Sequence, residues 1–372
     1  VIYKASNAVA SQHYHPSSSY QLFLLLLKMA SNTSFNKHTT GHEVAEAYFS
    51  QCAGKIILIT GVSPGGIGEA TARAFAHGGA LTVIITGRND ARLSAMNKKL
   101  AEEYPKTTFR PLMLDMNSLA AVRTSAQQIL GDESIPQIDI LVANAGGNTM
   151  SPRTFTADGL ETHFGVNHIA HFLFITLLLP KLLIAAKKSA PGATRVVTVT
   201  SEALVISPVR FSDYNFDGKP VPEAEKPDFT VLTAVFGTQE TDQYDPTVAY
   251  AASKTANVLF AVQLNKLFAD QGIYAFSNHP GTVDSTPAAP LWQMISKEQK
   301  AALLGADGII KTIEQGAATN LVTALDPGLR PEAGVYFADC QVADLPGYAK
   351  DEVLAERLWK LSEEIVGGKV GL

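Results

Sequence analysis

Tyr250 and Lys254 stand four residues apart in Tyr250-Ala-Ala-Ser-Lys254, the spacing that brings two side chains onto one face of an α-helix. A phenol titrates near pH ~10, too high to exchange protons readily at neutral pH. An ammonium beside it stabilises the phenolate and draws that value toward the range of a general acid or base. The pair alone says little, because Tyr-x-x-x-Lys is common on exposed helices. It gains meaning from what precedes it: a glycine-rich turn, the run Asn144-Ala-Gly-Gly147, and a stretch ending in Thr200-Ser201.

The glycine-rich turn, Thr60-Gly-Val-Ser-Pro-Gly-Gly-Ile-Gly68, follows the apolar run 55–60 and opens a helix predicted over 66–77. Glycines in that setting let a pyrophosphate approach the helix N-terminus, where N–H groups and the helix dipole favour an anion. Gly61, Ser63, Gly65, Gly66, Ile67 and Gly68 are therefore the candidate phosphate contacts. At the end of the second predicted strand the chain reads Thr86-Gly-Arg88. An NAD site would place an acid there to accept from the ribose 2′-hydroxyl. Arg88 instead suits a bidentate pairing with a 2′-phosphate, so NADP is the expected cofactor. Asp115, after the third strand, is placed to accept from the adenine amino group. Asn144, Ala145 and Gly146 keep the backbone open beside the adenine ribose.

These residues need a scaffold, and the pattern supplies one. Apolar runs at 55–60, 81–86, 108–115, 138–143, 194–200, 274–279 and 335–337 read as strands. Amphipathic stretches at 66–77, 90–104 and 118–130 separate the first four. A largely buried helix is expected at 160–184, a second at 246–270 with Pro246 in its first turn, and a closing helix at 351–366. Short strands each followed by a helix mean a parallel sheet covered on both faces, a single doubly wound α/β fold of Rossmann type.

Composition bounds the rest. With 46% hydrophobic and 17% charged residues the chain can bury a large core. A net charge of −5 without any basic run excludes nucleic acid as an expected partner. Only Cys52 and Cys340 are present, which gives neither a disulfide framework nor a zinc set. A reducing, cytoplasmic location is the expectation. The run Leu22–Leu27 falls far short of the ~20 residues of a membrane helix, so a membrane is not expected as a partner. Met29-Ala-Ser reads like a natural start, which makes residues 1–28 an upstream extension, with a signal anchor as the alternative. Residues 1–50 are read as an N-terminal extension, poorly ordered up to about residue 38, and 51–372 as the α/β domain. Thr40-Gly-His-Glu43 reads as a capping box for a short helix through Phe49.

One segment breaks the rhythm. Residues 207–247 carry three basic residues against eight acids, and prolines at 208, 220, 222, 227 and 246 argue against regular structure. Phe211, Tyr214, Phe216, Phe229 and Phe236 give it apolar anchors. A lid or substrate wall is expected, with a mobile surface loop as the alternative.

Together these motifs resemble the short-chain dehydrogenase/reductase family from about Gly54 to Gly368. The resemblance extends to its retinol-dehydrogenase-like branch through Phe164-Gly-Val-Asn167, Tyr250–Lys254 followed by Thr255-Ala-Asn257, and His279-Pro-Gly281. It implies a catalytic set of Asn167, Ser201, Tyr250 and Lys254. Tyr250 would exchange the proton, Ser201 orient the reacting oxygen, and Lys254 hold the nicotinamide ribose and depress the tyrosine pKa. Asn167 would anchor a water that relays protons. It also implies cofactor contacts from Pro280 and Gly281. Two departures stand out. The glycine turn has an extra residue, which leaves open whether Gly65 or Gly66 lies against the pyrophosphate. Ser285, followed by Thr286, replaces the usual threonine that touches the nicotinamide carboxamide, so either hydroxyl can serve.

The implied activity is NADP(H)-dependent interconversion of a carbonyl and an alcohol, with reduction of a hydrophobic ketone or aldehyde as the expected direction. The rival readings are a non-catalytic NADP-binding sensor or scaffold and a membrane-associated retinoid or sterol dehydrogenase. A homo-oligomer is compatible with the fold. His163, His168 and His171 have no carboxylate or cysteine at ligand spacing, so no metal is expected and they read as satisfied histidines.

Overall fold

The computed structural model describes residues 30–147, 152–241, 243–289, 293, 296–304 and 308–369. Its sheet has strands Ile56–Ile59 (β1), Thr82–Gly87 (β2), Thr108–Met113 (β3), Ile140–Ala143 (β4), Thr194–Val199 (β5), Ile273–His279 (β6), Tyr336–Ala338 (β7) and Gln341–Val342 (β8). Every residue of β1, β4 and β5 is buried, as strands rich in β-branched residues and covered on both faces must be. The order is β3-β2-β1-β4-β5-β6-β7-β8, with every pairing parallel until β7 meets β8 antiparallel. The doubly wound expectation holds. The two-residue β8 had no legible pattern and turns what was read as the last strand into a short hairpin.

Alternate residues of β1 feed two cores. Ile57 and Ile59 face helices Gly41–Ala47 (α1), Ile67–His77 (α2), Asp90–Glu103 (α3) and, further along the chain, Ile313–Leu325. Ile56 and Leu58 face Leu119–Gly131 (α4), the long helix Thr162–Ala186 (α5) and the later helices Pro246–Phe268 and Glu352–Ile365. Helix α5 is long and apolar enough to cross a membrane, with a mean hydropathy of 2.1 over its most apolar window. Most of it is buried between the sheet and its neighbours, which is the pattern of a core helix. The strand order switches from one side of β1 to the other between β3 and β4, so the carboxyl ends of β1 and β4 border the crevice where ligands bind in such sheets.

Two expectations need correction. Residues 30–38 are not loose: Ala30 and Phe35 are buried, the Ser31 N–H donates to Asp326 at 2.8 Å, and Gln341 donates to the Asn32 and Phe35 carbonyls. The capping box at Thr40 is present and starts α1. Residues 1–29 lie outside the described residues.

The segment 207–247 is also largely ordered. Val209 and Phe211 belong to the main core. Asp213 is buried and accepts from the Asp217 and Gly218 N–H groups. Glu225 accepts from Ser212 at 2.7 Å and from Arg357 of the closing helix at 3.0 Å. Asp228 caps helix Phe229–Phe236 (α6), which ends on Gly237 in the left-handed region at φ 69°. The prolines argue against regular structure, yet the segment folds with its acids serving as caps and turn acceptors. Tyr214 lies against Phe164, with ring centroids 5.4 Å apart, whereas the Phe236 side chain lies outside the described residues.

Candidate active site

Helix Pro246–Phe268 (α7) positions the central pair. Asp245 caps it through the Thr247 and Val248 N–H groups, at 2.7 and 3.0 Å, and Pro246 occupies its first position. Tyr250 thus sits on the second turn and Lys254 one turn further. Lys254 is buried, donates to the Val199 carbonyl at 3.1 Å, and places Nζ 5.4 Å from the Tyr250 ring centroid. Ser201, two residues beyond β5, is close enough to Tyr250 to oppose the rise of its pKa. Its Oγ accepts from the Ala203 N–H at 3.2 Å, which fixes the rotamer.

The protonation states differ from the sequence expectation. Burial raises the Tyr250 phenol above its ordinary value, and the Ser201 hydroxyl opposes that rise. Burial also lowers Lys254 to about 8. The ammonium faces a carbonyl and the ring rather than the hydroxyl, so the expected depression of Tyr250 by Lys254 is absent here. A phenol protonated at neutral pH is in the form that donates a proton.

Asn167 lies in a π-helical turn, Gly165–Ile169, inside α5, and such turns recur at functional sites. Its amide donates to the Gly147 carbonyl at 3.2 Å and to Ser253 Oγ at 3.0 Å, and its Oδ1 accepts from the Gly147 N–H. Ser253 in turn donates to the Tyr250 carbonyl at 2.6 Å. A Cβ at Gly146 would lie 2.9 Å from Asn167 Oδ1 and 3.4 Å from Lys254 Nζ. The loop after β4, the π-turn and α7 therefore converge on one point.

Beside that point the glycine-rich turn packs tightly against the loop after β4. Gly61 adopts φ 72°, and a Cβ there would come within 2.7 Å of Ala145 Cα. A Cβ at Gly68 would meet the Gly61 carbonyl oxygen at 2.5 Å. Gly65 has its N–H bonded to Glu69 at 2.7 Å, and a side chain there would strike Thr286. Gly66 is the N-cap of α2. Ile67 and Gly68 follow as the first helical residues, whose N–H groups have no partner inside the helix. Gly65 adopts φ 68°, and Gly66, which directly precedes the helix, is buried. Asn144 donates to the Thr60 and Gly61 carbonyls at 2.8 and 3.1 Å.

Arg88 is exposed at the end of β2, and its guanidinium has no hydrogen-bond or ion-pair partner among the described residues. Asp115 accepts from the Asn117 N–H at 3.0 Å, and Ser63 is exposed on the turn. Across the cleft, Pro280 is buried and Gly281, at φ 90°, packs against Lys311. Ser285 is buried, whereas the exposed Thr286 donates its N–H to the Gly65 carbonyl at 3.0 Å.

The three histidines of α5 all have protein partners. His168 pairs with Ser362 at 2.9 Å, and His163 pairs with Glu161 at 2.9 Å. His171 Nδ1 lies 3.1 Å from the Asn167 carbonyl, and its Nε2 lies 2.9 Å from Thr60 Oγ1. A carbonyl only accepts, so Nδ1 carries the proton and Nε2 accepts from Thr60. The same Thr60 oxygen accepts from the Ala145 N–H at 2.8 Å. His171 therefore ties the π-turn to the cofactor loop. The sequence reads it as one of three satisfied histidines, and nothing in the one-dimensional pattern signals that tie.

Comparison with known proteins agrees with this geometry. The short chain dehydrogenase family model matches residues 55–215. Human retinol dehydrogenase 12 is 34% identical over 323 residues, covering 85% of this chain and 88% of that protein. Oxidoreductase fscI of Fusarium equiseti is 36% identical over 249 residues, covering 66% of this chain and 94% of the relative. A solved protein from Mycobacterium Paratuberculosis superimposes with a TM-score of 0.60 at 25% identity, covering 86% of this chain and 96% of that one. The chain belongs to the short-chain dehydrogenase family, in its retinol-dehydrogenase-like branch. Members of this family are oxidoreductases that use nicotinamide cofactors to interconvert alcohols and carbonyls.

Proposed function

We propose that this protein is an NADP(H)-dependent carbonyl reductase acting on hydrophobic ketones or aldehydes. The observation that carries the reading is the convergence of Tyr250, Lys254 one turn behind it and Asn167, linked to Tyr250 through Ser253, beside the Ser201 turn. Reduction needs a proton donor at the carbonyl oxygen, and Tyr250 is that donor. Ser201 orients the same oxygen and stabilises the negative charge that develops on it. Asn167 holds Gly147 and Ser253, and through Ser253 the backbone of Tyr250. All four expected side chains are intact, which argues against a non-catalytic sensor.

The tight glycine turn, where a Cβ at Gly61 or Gly68 would collide with Ala145 or the Gly61 carbonyl, holds the start of α2 close to the loop after β4 and so suits a pyrophosphate at the helix N-terminus. Arg88 would take the 2′-phosphate, the α2 N-terminus the pyrophosphate, and Asp115 the adenine. Asn144, Ala145 and Gly146 would border the adenine ribose. Lys254 would hold the nicotinamide ribose, and Pro280, Gly281, Ser285 and Thr286 would line the nicotinamide end. When bound, the cofactor supplies the hydride that reaches the carbonyl carbon.

Helix α6 of the insert packs against Lys297–Leu304 and the turn Glu202–Ile206 beside Ser201. That placement supports the insert as one wall of the substrate pocket, able to exclude water. NADPH consumption measured over a panel of ketones, aldehydes and quinones tests the reading. Retinal belongs in that panel because retinol dehydrogenases are among the relatives. No turnover of any member above the Tyr250→Phe background would defeat it.

A further inference from the structure

A buried carboxylate, imidazole and phenol stand together beside the proposed proton donor. Glu161 and His163 are 0% and 2% exposed, and His163 Nδ1 lies 2.9 Å from Glu161 Oε1. The Tyr244 hydroxyl donates to the same oxygen at 3.1 Å, and the Phe164 N–H donates to the other at 2.8 Å. An ionised carboxylate only accepts, so these contacts require a proton on His163 Nδ1 and make Tyr244 a donor. Three donors satisfy a charge that burial would otherwise disfavour.

The triad joins two elements. Glu161 and His163 flank the start of α5, the helix that carries Asn167. Tyr244 closes the insert just before α7, and its ring meets Phe216 edge-on at 5.3 Å. It packs in a small core with Leu232 of α6. The His163 ring stands edge-on to the Tyr250 ring, with centroids 5.9 Å apart at 75°. A helix cap would need only Glu161, and a plain core residue would need no ionised partner. The arrangement links the insert, through one hydroxyl and one carboxylate, to the ring of the proposed acid.

We propose that His163, oriented by Glu161, is a positioning residue for Tyr250, and that Tyr244 makes this hold depend on the seating of the insert. His163 keeps the phenol where it meets Ser201, and Glu161 prevents the imidazole from turning away. Tyr244 supplies a second donor to that carboxylate only when the insert is docked. The inference rests on Tyr250 being the proton donor, but its test is made separable from that reading.

Tyrosine labelled with ¹³C at Cζ reports the environment of each phenol at fixed neutral pH, and the Tyr250 resonance is the one missing from Tyr250→Phe. Ser201→Ala gives the displacement that follows from losing the serine hydroxyl. In His163→Leu and Tyr244→Phe the Tyr250 resonance should move in that same direction, less far in Tyr244→Phe. Both variants should bind NADPH within about twofold of the unaltered chain, while kcat falls by roughly tenfold in His163→Leu. Should His163→Leu fail to fold, Tyr244→Phe, which keeps every ring, decides the matter. An unmoved Tyr250 resonance in a folded, NADPH-binding Tyr244→Phe or His163→Leu protein would overturn the proposal. If the unaltered protein reduces no carbonyl, the functional reading fails, and the resonance still tests this inference because it needs no substrate.

Discussion

Replacing Gly68 by alanine adds one methyl group where α2 meets the glycine turn. Gly68 is helical, so the substitution carries no left-handed backbone penalty, and any effect must come from space. The new Cβ would sit 2.5 Å from the Gly61 carbonyl oxygen and 2.7 Å from Asn144 Nδ2. Neither neighbour is a flexible chain end: Gly61 is clasped by Thr86, and Asn144 is bonded to the Thr60 and Gly61 carbonyls. Overpacking of this kind costs about 1–3 kcal/mol, and loss of the Asn144 bonds adds about 1 kcal/mol. Much of this strain can relax if the turn moves away from α2, but the cofactor requires the turn in place. The cost should therefore appear as weaker NADPH binding, by roughly thirty- to nearly a thousandfold. NADPH fluorescence titration reads the affinity, and thermal unfolding of the unliganded protein should change far less. Gly131→Ala is the control: a Cβ there meets nothing within 4 Å, and alanine in place of glycine stabilises a helix by up to ~1 kcal/mol. Equal NADPH affinity in Gly68→Ala and the unaltered protein would refute the glycine turn as the pyrophosphate site.

Three further outcomes follow from the same structure. Arg88→Ala should weaken NADPH roughly ten- to a hundredfold and leave NADH nearly unchanged, as loss of a charge-assisted contact implies; equal effects on the two cofactors would remove Arg88 from the 2′-phosphate. Burial lowers His168 to about 3 and His171 and His279 to about 4. Unfolded imidazoles bind protons below pH ~6.5 while these remain neutral, so stability should fall from that pH down to about 4, by ~2 kcal/mol per histidine already at pH ~5. Urea unfolding at the two pH values checks this, and equal stabilities would contradict it. Replacing residues 229–239 by a Gly/Ser linker of equal length should leave the fold and NADPH affinity intact, because Phe211, Asp213 and Glu225 remain. It should raise KM for a bulky substrate more than for a small aldehyde, and unchanged discrimination would show that α6 forms no wall.

How much of this was legible in the sequence depended on how local the signal was. The doubly wound order could be read because each strand of the sheet interior, such as Ile56–Ile59, is a short apolar run next to an amphipathic helix. The Tyr250–Lys254 pair, the glycine turn and Arg88 are set by neighbours in sequence, and they sit on α7, between β1 and α2, and just after β2. What escaped notice depends on distant partners. Gln341 bonds to residues near 32–35, and Ser31 to Asp326, so the order of residues 30–38 is written nearly three hundred residues away. The acid count of the insert carries no sign that Glu225 meets Arg357, which lies 132 residues further along the chain. The expected lowering of the Tyr250 pKa assumed that shared helix face means shared charge, whereas Lys254 turns its ammonium to Val199. His171 and the Glu161–His163–Tyr244 group could not be sorted from ordinary core histidines without their partners.

The central claim is that Tyr250 donates the proton to the substrate carbonyl. It is tested most directly by the single-turnover rate of NADPH oxidation in Tyr250→Phe, measured with a substrate that the unaltered protein reduces. The substitution removes one hydroxyl and keeps the ring that packs against His163 and Lys254. General acid catalysis is typically worth ~10²–10⁴ in rate, so a loss of that size is predicted while NADPH affinity stays within about twofold. A single-turnover rate within a few-fold of the unaltered protein would contradict the account, and the proton donor would have to lie elsewhere in the cleft.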